Sequence, residues 1–254
     1  MARLREERVD VGGRETVYLT AGEGEPLVFL HGGGIVEGFD CFLPLAERYR
    51  FVAPLMPGFG GTALEPAVRG IDELVEHEHR LFDALGIDSM VLAGHSLGGW
   101  NAASYTAAHP ERVRRLVVAA PYGLDVEGHP LAAVFAMTPE ELYRALTNDP
   151  TVFEGRVPTG PDEAFEAARA LEGQAIGGFM PGPFDPALPD KLRRLDVPTL
   201  ILWGDDDRIV PAGHAPAWES LVRGSRVEVF PGLGHLLFHE DRAPVEAILA
   251  FAAE

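Results

Sequence analysis

Cysteine is nearly absent from this chain, and long apolar runs are absent altogether. Cys41 is the only cysteine among 254 residues, so no disulfide bond can form within the chain, and we expect it to be a buried or bystander thiol. No apolar stretch is long enough to span a bilayer, and the first eight residues carry charges where a secretory signal has its apolar core. These features predict a cytoplasmic protein that has no contact with a membrane.

Basic residues are also scarce. The chain has 21 lysines and arginines against 39 aspartates and glutamates, which gives a formal net charge of −18. Nucleic acids and anionic membrane surfaces carry the same sign of charge, so neither is expected as a partner. The hydrophobic fraction of 46% is that of an ordinary globular protein. The length predicts one large domain, or one domain with an insertion.

Strand and helix patterns alternate through most of the sequence. Residues 15–21 alternate between polar and apolar types, which predicts an edge strand. Short apolar runs predict buried strands at 26–30, 51–53, 90–93, 116–120, 199–203 and 227–230. Helices are predicted at 71–85, 97–109, 214–222 and 243–252. This alternation favours a three-layer α/β architecture, with strands buried on both faces of a parallel sheet.

One internal segment breaks this alternation. Between residues 122 and 196 we find no buried strand pattern, and helices are predicted at 138–148, 162–174 and 189–195. We interpret residues 122–196 as a helical cap, or lid, inserted into a core formed by residues 1–121 and 197–254. The alternative is a set of helices packed on the side of the sheet.

The most informative motif is Gly94-His95-Ser96-Leu97-Gly98, which lies between a predicted strand and a predicted helix. A serine on such a tight turn has a strained backbone and a hydroxyl raised above the sheet. Gly94 and Gly98 are small because a Cβ at either position would collide across the turn. The helix N-terminus also directs free N–H groups and a positive dipole toward the same point. Ser96 is therefore the candidate nucleophile.

Two later motifs supply an acid and a base, which a serine hydroxyl needs to become nucleophilic. Trp-Gly-Asp-Asp-Asp at 203–207 follows one predicted strand, and Pro-Gly-Leu-Gly-His at 231–235 follows the last one. The order Ser, Asp, His is that of α/β-hydrolases, and the chain resembles this fold superfamily over nearly its whole length. Three further segments are similar to family motifs: the oxyanion loop at 31–33, a Pro-Gly turn at 57–62, and the stretch after the nucleophile helix at 109–113.

The resemblance implies a role for each matching residue. Ser96 would be the nucleophile and His235 the general base and then the general acid, while Asp207 would orient the imidazole and stabilise its protonated form. The backbone N–H groups of Leu97 and Gly33 would form the oxyanion hole. The implied fold is a mostly parallel central sheet flanked by helices, with a helical cap.

The identity of the acid leaves alternatives open. Spacing from the Trp-Gly pair selects Asp207, with Asp205 and Asp206 as solvated turn residues. Some relatives place the acid one strand earlier, where this chain has Asp125.

Aromatic and methionine side chains of the cap are candidate substrate contacts. Phe179 and Met180 lie in a predicted glycine- and proline-rich loop, and Trp100 lies at the start of the helix after the nucleophile. His95 is expected to pack or form a hydrogen bond beneath the nucleophile, and His31 to order the oxyanion loop.

These residues predict a serine hydrolase that cleaves carboxylic esters of a small-to-medium, moderately apolar molecule through an acyl-enzyme. The nine histidines lack the spacing of a metal site, and we expect neither a metal ion nor a cofactor. The alternative is carbon–carbon bond hydrolysis of ring-cleavage diketones. Those relatives usually have a tryptophan directly after the catalytic histidine, where this chain has Leu236. A different class, a small-molecule receptor on a hydrolase scaffold, is a further alternative.

Overall fold

The computed structural model describes residues 3–180 and 182–254, and its strands form one sheet. The strands are β1 (Arg5–Asp10), β2 (Glu15–Ala21), β3 (Pro26–Leu30), β4 (Arg50–Pro54), β5 (Met90–His95), β6 (Val113–Ala119), β7 (Thr199–Gly204) and β8 (Arg226–Phe230). Their order is β1-β2-β4-β3-β5-β6-β7-β8. β2 runs antiparallel to β1 and β4, and the other neighbouring pairs are parallel. The mostly parallel sheet is as predicted.

The central strands are buried because their side chains are apolar on both faces. Every residue of β5 and of β7 is buried, as expected for parallel strands covered by helices on two sides. The carboxyl ends of β5, β7 and β8 lead directly into the Ser96 turn, the Asp207 loop and the His235 loop. The sheet therefore brings three sequence-distant loops to one edge.

The amino-terminal edge differs from the prediction. Residues 15–21 were predicted as an edge strand, but β2 lies between β1 and β4. β1 is mostly exposed and carries charges, including Arg8, which pairs with Glu6 and Glu15. Such a strand is held by its backbone ladder with β2 rather than by apolar burial, so hydrophobic periodicity does not reveal it.

The structure describes eight α-helices: α1 (Ile71–Ala84), α2 (Leu97–Ala108), α3 (Pro139–Leu146), α4 (Glu163–Phe179), α5 (Leu188–Arg193), α6 (Ala215–Leu221), α7 (Leu237–Glu240) and α8 (Ala243–Ala252). Six of them form two packed groups on the sheet. In one group α2 packs against α1 and α5, and α5 against α6; in the other, α8 packs against α7 and the 3₁₀ helix Asp40–Glu47. None of the described helices has both the length and the apolar character needed to cross a membrane.

The segment predicted as a cap contains α3, α4 and α5. α3 begins with a capping box, because the Thr138 hydroxyl accepts a hydrogen bond from the N–H of Glu141 and the Glu141 carboxylate accepts one from the N–H of Thr138. α4 is longer than predicted, since it continues through Gly177 and Gly178 to Phe179. A Cβ at Gly177 would meet no atom within 4 Å, so this glycine is not there to make room for a neighbour.

Candidate active site

Ser96 lies on a strained turn between β5 and α2. Its backbone has φ 55° and ψ −119°, a left-handed conformation that is costly for a residue with a side chain. A Cβ on Gly94 would overlap the carbonyl oxygen of Gly98, and a Cβ on Gly98 would overlap the carbonyl oxygen of Leu30. The two glycines are therefore required for the turn, as the sequence predicts.

Asp207 and His235 are in contact beyond the carboxyl ends of β7 and β8, at the same edge of the sheet as Ser96. Nδ1 of His235 donates a hydrogen bond to Oδ2 of Asp207 at 2.7 Å, and both side chains are almost completely buried. The other oxygen of Asp207 accepts from the backbone N–H groups of Ile209 at 2.8 Å and Val210 at 2.9 Å. The carboxylate is thus fixed in place by three donors, and its orientation sets which nitrogen of His235 is free.

The competing aspartates lie in other surroundings. Asp205 and Asp206 are exposed, and Asp205 accepts a hydrogen bond from the N–H of Gly232 at 2.6 Å. Asp125 is also exposed. Of these four aspartates, Asp207 is the one that the structure places against His235.

A second histidine supports the backbone of the first. Nε2 of His95 donates to the carbonyl oxygen of His235 at 2.8 Å, and the two ring centroids are 4.6 Å apart. Burial, together with the neighbouring His235, holds the pKa of His95 well below its usual value. His95 therefore stays neutral and acts as a fixed donor. The sequence predicts packing or a hydrogen bond for His95 beneath the nucleophile, and the structure gives it a hydrogen bond to the loop that carries His235.

The oxyanion loop is ordered by His31. The N–H of Met56 donates to Nε2 of His31 at 3.0 Å, so Nδ1 carries the proton and donates to the carbonyl oxygen of Gly32 at 2.7 Å. Burial lowers the pKa of His31 to about 4, which keeps this tautomer neutral. Gly33 and Leu97 both line the cavity at Ser96, the location that their predicted oxyanion role requires.

Ser96 and His235 face a common cavity of about 330 Å³, a volume that suits a small organic molecule. Most of its lining is apolar and comes from the segment predicted as the cap: Val134, Phe135, Met137, Pro139, Leu142, Leu146, Phe153, Ile176 and Met180. The catalytic loops therefore form one side of this cavity, and α3, α4 and the residues before them form its walls.

One of the three predicted substrate contacts lies at this cavity. Met180 lines it, whereas Trp100 and Phe179 do not. The Trp100 indole packs against the backbone of Gly123, where an added Cβ would overlap the ring. Phe179 is the last residue of α4 rather than a loop residue and is buried in the core. The predictions that Trp100 and Phe179 contact the substrate are therefore corrected: neither residue lines the cavity.

Sequence reasoning missed a charged pair inside the cavity. Arg169 and Glu172 lie one turn apart on α4, line the cavity and form an ion pair. Burial raises the pKa of Glu172 to about 7, against the opposing effect of Arg169. Helical spacing could have indicated this pair. Arg169, Glu172, Gly173 and Ile176 share one face of α4, and all four line the cavity.

The charge balance of the cavity is defined by few groups. Arg169 is the one lysine or arginine among the described lining residues, and its Nε lacks a hydrogen-bond partner in the part of the chain that the structure describes. Glu37 also lines the cavity and raises the pKa of Glu172 further. Over residues 3–180 and 182–254, no cluster of three or more His, Cys, Asp or Glu side chains has the arrangement of a metal site.

A sequence model of the alpha/beta hydrolase family matches residues 27–249. The chain belongs to this alpha/beta hydrolase family. The predicted superfamily and fold are thus confirmed, and the protein is a hydrolase of this fold.

Relatives of this alpha/beta hydrolase include enzymes that act on dienoic acids. The chain is 34% identical over 251 residues to 2-hydroxy-6-oxo-6-(2'-aminophenyl)hexa-2,4-dienoic acid hydrolase of Metapseudomonas resinovorans, with coverage of 91% and 84% of the two chains. It is 30% identical over 261 residues to 2-hydroxy-6-oxo-2,4-heptadienoate hydrolase of Pseudomonas putida, with coverage of 95% and 94%. The crystal structure of a serine hydrolase involved in carbazole degradation aligns with a TM-score of 0.82 and 32% identity over 99% of each chain.

Proposed function

We propose that this protein hydrolyses a carbon–carbon bond next to a ketone in a 2-hydroxy-6-oxo-dienoic acid. The sequence alone favours an ester, with this reaction as the alternative. The observation that carries the proposal is Arg169, a cation placed in a mostly apolar cavity that also contains Ser96 and His235. The relatives named above act on acids of this kind, which supports the same assignment.

Arg169 suits the carboxylate of such a substrate. A guanidinium binds a carboxylate through two parallel hydrogen bonds, and the Arg169 side chain lines the cavity with 28% of its surface exposed. Its guanidinium carbon also lies 5.5 Å from the ring centroid of Phe165, which helps to hold its position. A dienoic acid would therefore bind with its charged end at α4 and its ketone at Ser96.

The triad then accounts for the bond cleavage. His235 accepts the proton of Ser96 as Oγ adds to the C6 carbonyl, and the N–H groups of Leu97 and Gly33 stabilise the oxyanion. In the 2-keto tautomer of the substrate, the electron pair of the breaking C5–C6 bond delocalises through C3=C4 onto the C2 oxygen, which is protonated. Water activated by His235 releases the acyl group as an acid. The net reaction consumes one water molecule, whose hydroxyl group ends on C6 and whose hydrogen ends on the dienol product.

Leu236 marks a difference from the relatives that usually carry a tryptophan at this point. The side chain lines the cavity next to His235. Because leucine is smaller than tryptophan, it leaves more space beside the reacting carbonyl, and we expect a bulky substituent such as an aryl group to be accepted at C6.

Ester hydrolysis is the second candidate, and the two acidic side chains near Arg169 favour it. Arg169 already pairs with Glu172, and Glu37 adds another acidic group to the cavity. A neutral ester would bind without displacing this ion pair, and its acyl-enzyme would form by the same steps.

An arginine variant separates the two candidates. Arg169→Gln should raise KM for 2-hydroxy-6-oxo-6-phenylhexa-2,4-dienoate about 10- to 100-fold, since a charge-assisted hydrogen bond contributes about 1.5–3 kcal/mol, and should leave KM for p-nitrophenyl butyrate unchanged. Arg144→Gln, at an exposed position on α3, is the matched control. Equal KM values for the acid in the Arg169 variant and in the parent would show that Arg169 does not bind the substrate carboxylate.

A further inference from the structure

The last residue of α3, Leu146, and the two residues after it contact the loops that carry the acid and the base. The carbonyl oxygen of Leu146 accepts a hydrogen bond from the N–H of Leu236 at 2.9 Å, directly after His235. The side-chain amide of Asn148 donates to the carbonyl oxygen of Gly232 at 3.0 Å, three residues before His235. The end of α3 thus touches the His235 loop on both sides of the histidine.

Thr147 and Asn148 also hold the loop that carries Asp207. Nη2 of Arg208, the residue after Asp207, donates to the carbonyl oxygen of Thr147 at 3.2 Å and to Oδ1 of Asn148. Arginine has donors only and the carbonyl of Gly232 is an acceptor only, so the two ends of the Asn148 amide are assigned without ambiguity. Asn148 therefore bridges the Asp207 loop and the His235 loop through one planar group.

The bridge has little room to move. A Cβ on Gly234 would lie 3.3 Å from the backbone nitrogen of Asn148 and 3.4 Å from the carbonyl oxygen of Leu146, so the two backbones are closely packed. Thr147 is buried, and its hydroxyl accepts from the N–H of Asp149 at 3.0 Å. The exposed Asn148 is therefore held by closely packed neighbours.

We propose that Asn148 is a positioning residue, which sets the separation between Asp207 and His235 by bridging their loops to the end of α3. Leu146 lines the cavity through its side chain and bonds the His235 loop through its carbonyl. Leu146 therefore links the wall of the cavity to the loop that carries His235. This proposal rests on the proposed roles of Ser96, Asp207 and His235, but not on the identity of the substrate.

Labelling of Ser96 by a fluorophosphonate tests the proposal without a natural substrate. Asn148→Ala should lower the second-order labelling rate by about 10- to 100-fold, because a small displacement of a catalytic group has effects of this size. For any substrate that the parent turns over, kcat should fall while KM stays within twofold. Thr151→Ala, which removes a hydrogen bond to Asp149 in the same segment but none to either catalytic loop, should label at the parent rate.

Two further variants separate positioning from a loss of stability. Asn148→Asp keeps an acceptor for Arg208 but cannot donate to Gly232, so it should label as slowly as Asn148→Ala. Arg208→Ala and Asn148→Ala remove the same bridge, so their effects in the double variant should not add. Labelling of Asn148→Ala at the parent rate, or a slow rate that follows the unfolded fraction in a melting curve, would overturn the proposal. A parent protein that is not labelled at all would overturn it together with the proposed triad.

Discussion

Nδ1 of His235 donates to Oδ2 of Asp207 across 2.7 Å, and the Asp207 carboxylate has no exposed surface. Replacing this carboxylate by an amide changes the hydrogen-bond partner that His235 needs. Asp207→Asn should therefore lower kcat by about 10⁴-fold, because the imidazole is then held in the wrong tautomer. The measurement is turnover by Asp207→Asn beside Asp125→Asn, in which an exposed aspartate is changed in the same way. Near-parent turnover by Asp207→Asn, with loss in Asp125→Asn, would assign the acid to Asp125.

The Ser96 turn depends on close backbone contacts. In Gly98→Ala, the new Cβ would overlap the carbonyl oxygens of Leu30 and His31, so we expect loss of activity and a lower melting temperature. Gly177→Ala is the matched control, because a Cβ there meets no atom and alanine is favoured over glycine in a helix by about 1 kcal/mol. The control should unfold at the same or a higher temperature than the parent. A Gly98→Ala protein with parent activity would show that the turn has more space than the structure gives it.

Ionisation of Glu172 should make substrate binding depend on pH. Burial raises its pKa to about 7, Arg169 opposes this, and Glu37 adds to it. Tyr143 is a further titratable side chain near Glu172 in the same cavity. Above that pH a charged Glu172 repels an acidic substrate and occupies Arg169, so KM for a dienoic acid should be higher at about pH 8 than at about pH 6. KM for a neutral ester should not follow this trend. Glu172→Gln should remove the difference, and a KM for the acid that is flat in the parent would contradict this role.

A second buried glutamate should control stability. Oε1 of Glu78 accepts from Nδ2 of Asn101 at 2.6 Å between α1 and α2, and burial raises the pKa of Glu78 from 4.5 to about 8. The folded state then binds the proton more tightly than the unfolded state, so stability is lost as pH rises from about 4.5 to about 8, by about 1.4 kcal/mol per pKa unit. In urea unfolding, Glu78→Gln should show less of this loss and be the more stable protein at alkaline pH. Glu76→Gln, an exposed change on the same helix, should keep the parent pH dependence.

Sequence predicted the parts of this molecule that depend on local patterns. The strand–turn–helix context around Ser96 and the glycines beside it follow from sterics within five residues, and the structure has both. The choice of Asp207 followed from spacing, and the contact with His235 agrees with it. β1 could not be predicted from hydrophobic periodicity because its side chains are charged and exposed.

The walls of the cavity depend on tertiary packing, and here the predictions were weaker. Phe179 was assigned to a loop because glycines precede it, but α4 continues through them and turns its side chain into the core. Arg169 was missed because a charged residue on a helix usually faces solvent, and only the fold shows which face of α4 covers Ser96. The bridge through Asn148 joins three segments that are distant in sequence, so no local pattern could indicate it.

The central claim is tested most directly by the choice between a carbon–carbon bond and an ester. The measurement is kcat/KM of the parent protein for 2-hydroxy-6-oxo-6-phenylhexa-2,4-dienoate and for p-nitrophenyl butyrate, with Ser96→Ala as the control. We predict that the acid gives benzoate and 2-hydroxypenta-2,4-dienoate in equal amounts, with kcat/KM at least about tenfold above that for the ester and no turnover in Ser96→Ala. Rapid cleavage of the ester by a protein that leaves the dienoic acid intact would contradict the account.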